Sequence, residues 1–374
     1  MISPGARILV AMSGGVDSAV AAALLTEQGY DCVGVTLRLV PEPEGTTVFE
    51  PCCGREAAED ARRVCETLGL PHEVVHAVER FDRDIIAYYL KEYCAGRTPN
   101  PCVRCNRMIK FGALYRHADR LGAQYVAMGH YVRLETRGHR LALRRAVHRE
   151  KDQSYVLAPL TQRQLRRALF PLGAWRKEEV RARARLLGLH TARKAESQET
   201  CFVPDRHYGR FVEERSGPVL PGPIVSTGGV VLGQHRGLLH YTVGQRRGLG
   251  IGAARPLYVI ALDTERNTLV VGHAEETYCE RFTTGPLCWG GLRRQAAPFD
   301  ASVQLRSHHQ PGPATVIPGR HGATVLLHTA QRSVTPGQWA VFYDADGYVL
   351  ASAIIQNFTR ATPPASTDRA GGPS

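Results

Sequence analysis

The stretch that decides the fold is Arg7-Ile8-Leu9-Val10-Ala11-Met12-Ser13-Gly14-Gly15-Val16-Asp17-Ser18. The apolar run Arg7–Ala11 reads as a buried strand. Gly14 and Gly15 break it, and Asp17–Gln28 follows as a helix ending at Gly29. A strand that turns through glycine into a helix leaves backbone N–H groups pointing into the turn. With the helix dipole and the Ser13 and Ser18 hydroxyls, those groups form a cradle for phosphate. No Lys follows the glycines, so this is not the G-x-x-x-x-G-K-[ST] loop.

Outward from this turn the alternation continues. Asp31–Leu39, Glu73–His76 and Tyr125–Met128 read as strands. Arg55–Leu68, Phe81–Ala95 and Phe111–Leu121 read as helices, with two Arg-rich helices at Gln162–Leu169 and Lys177–Leu187. This order predicts an α/β fold with a doubly wound parallel sheet over residues 1–205. Beyond it the character changes. Pro223–Val231, Pro256–Leu262 and Thr268–Gly272 predict a small β-rich central domain at 206–280. Ala301–Arg306, Ala323–His328, Gln338–Tyr343 and Tyr348–Ile355 predict a C-terminal β-barrel at 281–360. Residues 361–374, rich in Pro, Ala, Gly and Ser, are expected to be a disordered tail.

Composition sets the class. A chain of 374 residues with 43% hydrophobic and 22% charged residues is expected to be a soluble protein of several domains. It has no run of 18 apolar residues, and Met1–Ala11 lacks the features of a signal peptide, so a cytoplasmic location with no membrane partner is expected. A net charge of +12, from 47 Lys+Arg against 35 Asp+Glu, points to a polyanionic partner. Ten cysteines in such a chain read as thiols, ligands or nucleophiles rather than a disulfide framework. Cys32 and Cys65 read as core residues, and the vicinal Cys52-Cys53 as a local feature.

Two segments could carry thiol chemistry. Gly96-Arg97-Thr98-Pro99-Asn100-Pro101-Cys102-Val103-Arg104-Cys105-Asn106 is expected to be a stiff proline turn presenting Cys102 and Cys105. Arg97, Arg104 and Arg107 are expected to favour thiolate there. Glu196-Ser197-Gln198-Glu199-Thr200-Cys201-Phe202 places another Cys in a polar loop.

The Ser13–Ser18 segment resembles the loop of the PP-loop ATP pyrophosphatases, which adenylate a substrate and release pyrophosphate. That loop occurs in enzymes acting on several substrates, so it leaves the substrate open. Further segments narrow the choice: Ala127-Met128-Gly129-His130-Tyr131, Lys151-Asp152-Gln153-Ser154-Tyr155, Leu169-Phe170-Pro171-Leu172-Gly173, Tyr241 to Gly250, and Thr335-Pro336-Gly337-Gln338. With these, the chain resembles the tRNA-specific 2-thiouridylases (MnmA family) from Ile8 to about Phe358. The resemblance implies ATP-dependent adenylation of the wobble-uridine O2, followed by sulfur transfer to give 2-thiouridine. It implies ATP contacts at Ala11, Met12, Ser13, Gly14, Gly15, Val16, Asp17, Ser18, Leu37 and Gly129, with Asp17 helping to hold Mg2+. It implies that Cys201 carries a persulfide and that Cys105 is the second nucleophile, leaving a Cys105–Cys201 disulfide or releasing hydrosulfide. A disulfide needs Cα atoms within about 7 Å, hence a loop closure on tRNA. The implied partners are tRNA and a sulfur donor, either a cysteine desulfurase or a relay protein.

The resemblance also implies tRNA contacts. Asn100, Pro101 and Cys102 line a flipped base; His130, Lys151, Asp152 and Gln153 touch the anticodon arm; Arg306, Ser307 and Gln338 act from the barrel. The chain departs from one version of the pattern: Cys102 stands where some members have Asp. Cys102-x-x-Cys105 with Cys201 also matches related thiolation enzymes that hold a 4Fe–4S cluster by three Cys, an alternative route for sulfur. No other metal site is expected. The readings from other classes are a small-molecule ATP pyrophosphatase and a tRNA-binding protein without catalysis.

Overall fold

Strand β1 (Arg7–Ala11) is central because both its faces are apolar: Ile8, Leu9 and Val10 are fully buried. A computed structural model of the protein describes residues 2–41, 54–195, 200–203 and 207–360. Cys52, Cys53, Glu196–Glu199 and the expected tail lie outside the described residues. Among the described residues, β1 pairs in parallel with β2 (Asp31–Arg38) and β4 (Tyr125–Met128). The sheet is completed by β3 (His72–His76) beside β2 and by the short strand Ala168–Leu169 beside β4. The chain therefore runs to one side of β1 and then to the other. That reversal makes a topological switch point between β1 and β4, where open α/β sheets bind ligands.

Helix α1 (Val16–Glu27) buries eight of its 12 residues. It is enclosed between the sheet and the helix Lys177–Leu186, with Val180 and Ala184 in the same core as Ala19–Ala22. Helix α2 (Arg55–Thr67) covers β2 through Ala61, Val64 and Cys65. Burial pushes the Cys65 thiol up to about 12 and also raises Cys32, as expected of core thiols.

Three expectations are corrected. The Pro99–Pro101 segment is no mere turn: Pro101 opens the helix Pro101–Cys105, which runs through a π turn at Asn106–Lys110 into Phe111–Arg120. Pro is tolerated there because the first helical N–H has no partner in any case. Asn100 caps this helix by accepting the Val103 N–H at 3.3 Å. Gln162–Leu169 is not one helix; Gln162–Leu165 is helical and Ala168–Leu169 is a sheet strand. Val132–Arg137 and Arg140–Arg145 form an antiparallel hairpin that was not expected.

The four strands Gly222–Ser226, Val231–His235, Tyr258–Asp263 and Thr268–Gly272 form the central sheet. A ring of six strands between Tyr278 and Arg360 closes the C-terminal barrel through pairing of Tyr278–Thr284 with Val349–Arg360, and Cys288–Trp289 adds to its edge. The barrel is not a loosely tethered module. Trp339, Val341, Tyr343 and Val349 share one continuous core with Leu9, Val33, Val103 and Val126 of the α/β portion. The hairpin strengthens this joint: Arg140 donates to the Gly290 and Trp289 carbonyls at 3.0 and 3.1 Å.

Gly34 tests the packing of β2 under α2. A Cβ there would lie 2.4 Å from Cys65 Sγ. Gly34→Ala should destabilise the protein by about 1–3 kcal/mol in urea unfolding. Combining it with Cys65→Ala should show favourable coupling in a double-mutant cycle. Purely additive effects would contradict this contact.

Candidate active site

Two clusters of chemically competent groups lie at the carboxyl ends of the strands. The first is the phosphate loop. Gly14 has φ of +68°, and a Cβ on it would lie 2.3 Å from the Ala57 carbonyl oxygen, so only glycine fits beneath α2. Gly15 precedes α1 in extended conformation and provides no side-chain cap. The first intrahelical bond runs from Ala19 N to Gly15 O, so the first-turn amides of α1 face the loop. Ser18 braces the turn: its hydroxyl donates to Gly15 O at 3.0 Å and accepts from Ser13 N at 3.2 Å. Ala11 ends β1, Met12 is buried, and Ser13 is exposed at the mouth.

Gly129, just past β4, abuts this helix start. A Cβ there would come within 2.7 Å of Asp17 C and Ser18 N. Its identity is therefore accounted for by the closeness of β4 to α1. Leu37, near the end of β2, is half-buried and packs against the cores on both sides of it.

The sequence reading missed what holds Asp17. Lys177, 5% exposed, donates to both Asp17 carboxylate oxygens at 2.8 Å, and the Tyr131 hydroxyl donates to Oδ1 at 2.7 Å. A signal was present. Lys177 opens a helix, where a cation is unfavourable beside the positive end of the dipole unless an anion lies nearby. Both Asp17 oxygens are thus engaged, so a cation bound there with substrate phosphates would share the carboxylate with Lys177.

The second cluster holds the thiols. Cys105 is buried, Cys201 half-buried and Cys102 exposed. Although 96 positions separate them in sequence, Cys105 and Cys201 pack in one cluster with Leu39, Phe81, Tyr89, Tyr93, Phe202 and Phe211. Phe202 stacks edge-on to Phe81 and Tyr89, which seats the turn carrying Cys201. Beside the cluster a cavity of about 610 Å³ is bordered by Tyr93, Tyr208, Arg210, Arg236 and His240. The arginines expected to favour thiolate are engaged elsewhere. Arg97 makes two bonds to Glu92 at 2.6 and 2.8 Å. Arg104 donates to Asp84 O and stacks on Tyr88. Arg107 reaches Cys288 Sγ at 3.4 Å. The donor set for a cluster is not assembled either: among the described residues no three His, Cys, Asp or Glu side chains are gathered to hold a metal ion.

The family model described as the tRNA methyl transferase HUP domain matches residues 6–205. Those described as the tRNA methyl transferase PRC-barrel domain and the aminomethyltransferase beta-barrel domain match 209–273 and 280–355. The tRNA-specific 2-thiouridylase MnmA of Heliobacterium modesticaldum is 46% identical over 364 residues, covering 95% of this chain and 94% of that one. The one from Chloroflexus aurantiacus is 48% identical over 341 residues, covering 90% and 95%. The chain belongs to the tRNA-specific 2-thiouridylase (MnmA) family. Among solved structures, a 4-thiouridine synthetase–RNA complex with bound ATP aligns at 18% identity and TM-score 0.36, over 53% of this chain and 45% of that one.

The positions that the MnmA resemblance assigns to tRNA fall into different environments. Asn100 and Pro101 open the cysteine helix, with Asn100 half-buried and Pro101 buried. Lys151 is half-buried in the turn Arg149–Lys151. The Asp152 side chain is 3% exposed and accepts from Ala146 N, Ser154 N, Ser154 Oγ and Arg145 Nε, so its carboxylate holds the loop. Gln153 likewise accepts the Tyr131 N–H at 3.0 Å. Arg306 is exposed while its guanidinium donates to Ser333 O at 2.8 Å, and the Ser307 carbonyl accepts from Gln304. Gln338 donates to Thr98 O at 2.8 Å.

His130 stands edge-on to Phe170 with Nδ1 buried and unbonded. Burial, aided by Lys110, lowers its pKa to about 3. Below the unfolded value of about 6.5 the unfolded chain takes up a proton that the folded one refuses. Stability contributed at this site therefore falls as pH drops from about 6.5 toward 3. His130→Asn should make unfolding free energy less pH-dependent between about pH 7 and 5. Identical slopes in the two proteins would mean that the folded ring protonates normally.

Proposed function

We propose that the protein is an ATP-dependent tRNA 2-thiouridylase that acts on the wobble uridine. The observation that carries the reading is the packing of Cys105 and Cys201 into one cluster with Leu39 and Ala77, just past the carboxyl ends of β2 and β3 in the sheet whose β1 leads into the phosphate loop. The family descriptions mention methyl transfer, but the near full-length relatives are named for thiolation, and a pair of thiols suits sulfur rather than methyl chemistry.

In this reading residues 1–205 bind ATP and carry catalysis, 206–280 form the central domain, and 281–360 contact tRNA. The α1 amides, Ser13 and Ser18 cradle the phosphates, while Leu37 and Gly129 border the nucleoside. Lys177 and Asp17 lie at the phosphate end of this site; Asp17 would hold Mg2+ there, and the ion would supply charge neutralisation for pyrophosphate. The uridine O2 attacks the α-phosphorus, releasing pyrophosphate and making that oxygen part of an AMP leaving group. A donor protein loads Cys201 as a persulfide, Cys201–S–SH. The Cys105 thiolate attacks the Cys201 sulfur that carries the SH, forming a Cys105–Cys201 disulfide and releasing HS⁻. The Cys201 sulfur exchanges one S–S bond for another, the Cys105 thiolate is oxidised and the terminal sulfur is reduced to sulfide. HS⁻ adds at C2 and AMP leaves, giving 2-thiouridine; a thiol reductant resets the disulfide. Splitting the substitution into these steps is the use of the paired nucleophiles. Lys151, His130 and Arg306 support contact with the anticodon arm, where phosphate contacts position the RNA. No described helix is long and apolar enough to cross a membrane.

Cys105→Ser and Cys201→Ser should retain tRNA-dependent pyrophosphate release. Both should lose 2-thiouridine formation by about 100-fold or more when sulfur comes from a persulfide donor. Free sulfide should bypass both variants. Undiminished thiolation by Cys201→Ser with the donor, or stoichiometric iron in anaerobically purified active enzyme, would overturn the persulfide route.

A further inference from the structure

Thr98 stands at a junction of all three parts of the molecule. Its N–H donates to Pro336 O at 2.9 Å, and its carbonyl accepts from Gln338 Nε2 at 2.8 Å. Both backbone groups of one catalytic-domain residue are thus held by a single barrel turn. The approach is close: Gly337 has φ of +92°, and a Cβ on it would lie 3.0 Å from Thr98 N and C. The turn is itself anchored. Gly337 N donates to Ile355 O at 2.9 Å, Ile355 N donates to Gln338 O at 2.8 Å, and the buried Thr335 hydroxyl donates to Ser333 O at 2.8 Å.

The neighbouring residues are held as well. Gly96, at φ of +68°, abuts Thr264 in the turn after Tyr258–Asp263 of the central domain, where a Cβ would lie 2.8 Å from Cγ2. Arg97 is locked to the buried Glu92. On the far side only Pro99 separates Thr98 from Asn100, which caps the helix carrying Cys102 and Cys105. Pro99 and Pro101 fix two φ angles in this link, so a displacement at Thr98 passes to the helix instead of being absorbed. Ser333 completes the junction. It holds a left-handed φ of +54°, lies against Gly244 of the central domain, and accepts from the exposed Arg306 through its carbonyl. Strained non-glycine backbone persists only where its surroundings over-determine it.

We propose that the Thr335–Gln338 turn is a clamp that positions the Cys102–Cys105 helix through Thr98, and that Gln338 acts as a positioning residue rather than as a contact to RNA. The barrel is then linked through its own backbone to the placement of the attacking thiol. This inference rests on the thiouridylase reading for its catalytic consequence but not for the clamp itself.

The test uses the full-length enzyme and Gln338→Glu, which keeps the side-chain shape but presents an acceptor to the Thr98 carbonyl. Gln338→Ala, which removes the donor without adding charge, serves should the first variant fail to fold. At saturating tRNA, kcat for 2-thiouridine formation should fall between about tenfold and 100-fold, since small misplacements of reacting groups carry such penalties. KM and Kd for tRNA should stay within about threefold, less than one lost direct charge-assisted contact. Peptide mapping after brief alkylation should show Cys105 modified faster relative to Cys102 than in wild type. A raised tRNA Kd with unchanged kcat would make Gln338 an RNA contact and overturn the clamp. Unchanged kcat and unchanged alkylation would overturn it too. A wild-type enzyme that forms no 2-thiouridine would defeat the functional reading, while Cys105 alkylation would still decide the clamp.

Discussion

The whole arrangement depends on how closely the start of α1 approaches the end of β4. Gly129 sits so near the Asp17–Ser18 backbone that no side chain can stand there, and Gly14 is pressed as tightly beneath Ala57. These two contacts aim the uncapped first turn of α1 at the switch point of the sheet. They also bring Asp17 within reach of Tyr131, from the loop after β4, and of Lys177, from the helix that covers α1. The anion site proposed here would be pre-formed. Its N–H groups and its ammonium are oriented by packing before any nucleotide arrives, which is the condition for electrostatic stabilisation without reorganisation.

The second consequence concerns the barrel. Because Trp339, Val341, Tyr343 and Val349 complete the core begun by the parallel sheet, the α/β portion and the barrel cannot separate without exposing apolar surface. The thiol helix lies at this seam, with Val103 inside the shared core and Cys105 in the adjoining aromatic cluster. An enzyme that must hold an RNA base, an activated nucleotide and a sulfur carrier in register gains from such a seam, since orientation of the reacting groups is a large part of the barrier it lowers.

Much of this was legible in the residues. The glycine turn between an apolar strand and an Ala-rich helix was enough to place the phosphate loop, and strand–helix alternation was enough for the parallel sheet. What the sequence hid depends on partners far along the chain. Pro99 and Pro101 read locally as a turn; a helix forms because Asn100 caps it and Val103 finds a core supplied in part by the barrel. The hairpin at 132–145 was not expected, and its Arg140 is received by the Trp289 and Gly290 carbonyls far along the chain. The four donors that hold the Asp152 carboxylate are announced by no local pattern, and the arginines near the cysteines look like thiolate stabilisers until Glu92, Asp84 and Cys288 claim them. The motifs single out Cys105 and Cys201, but only the fold brings them into one cluster.

The central claim is that ATP activates the uridine oxygen itself, so that sulfur displaces that oxygen as part of AMP. The most direct measurement is a single turnover on tRNA whose wobble uridine carries ¹⁸O at C2, followed by mass spectrometry of the released nucleotide. The account predicts AMP that has gained the heavy oxygen in its phosphate, in an amount equal to the 2-thiouridine formed. AMP without the label, or ADP and phosphate in its place, would contradict it.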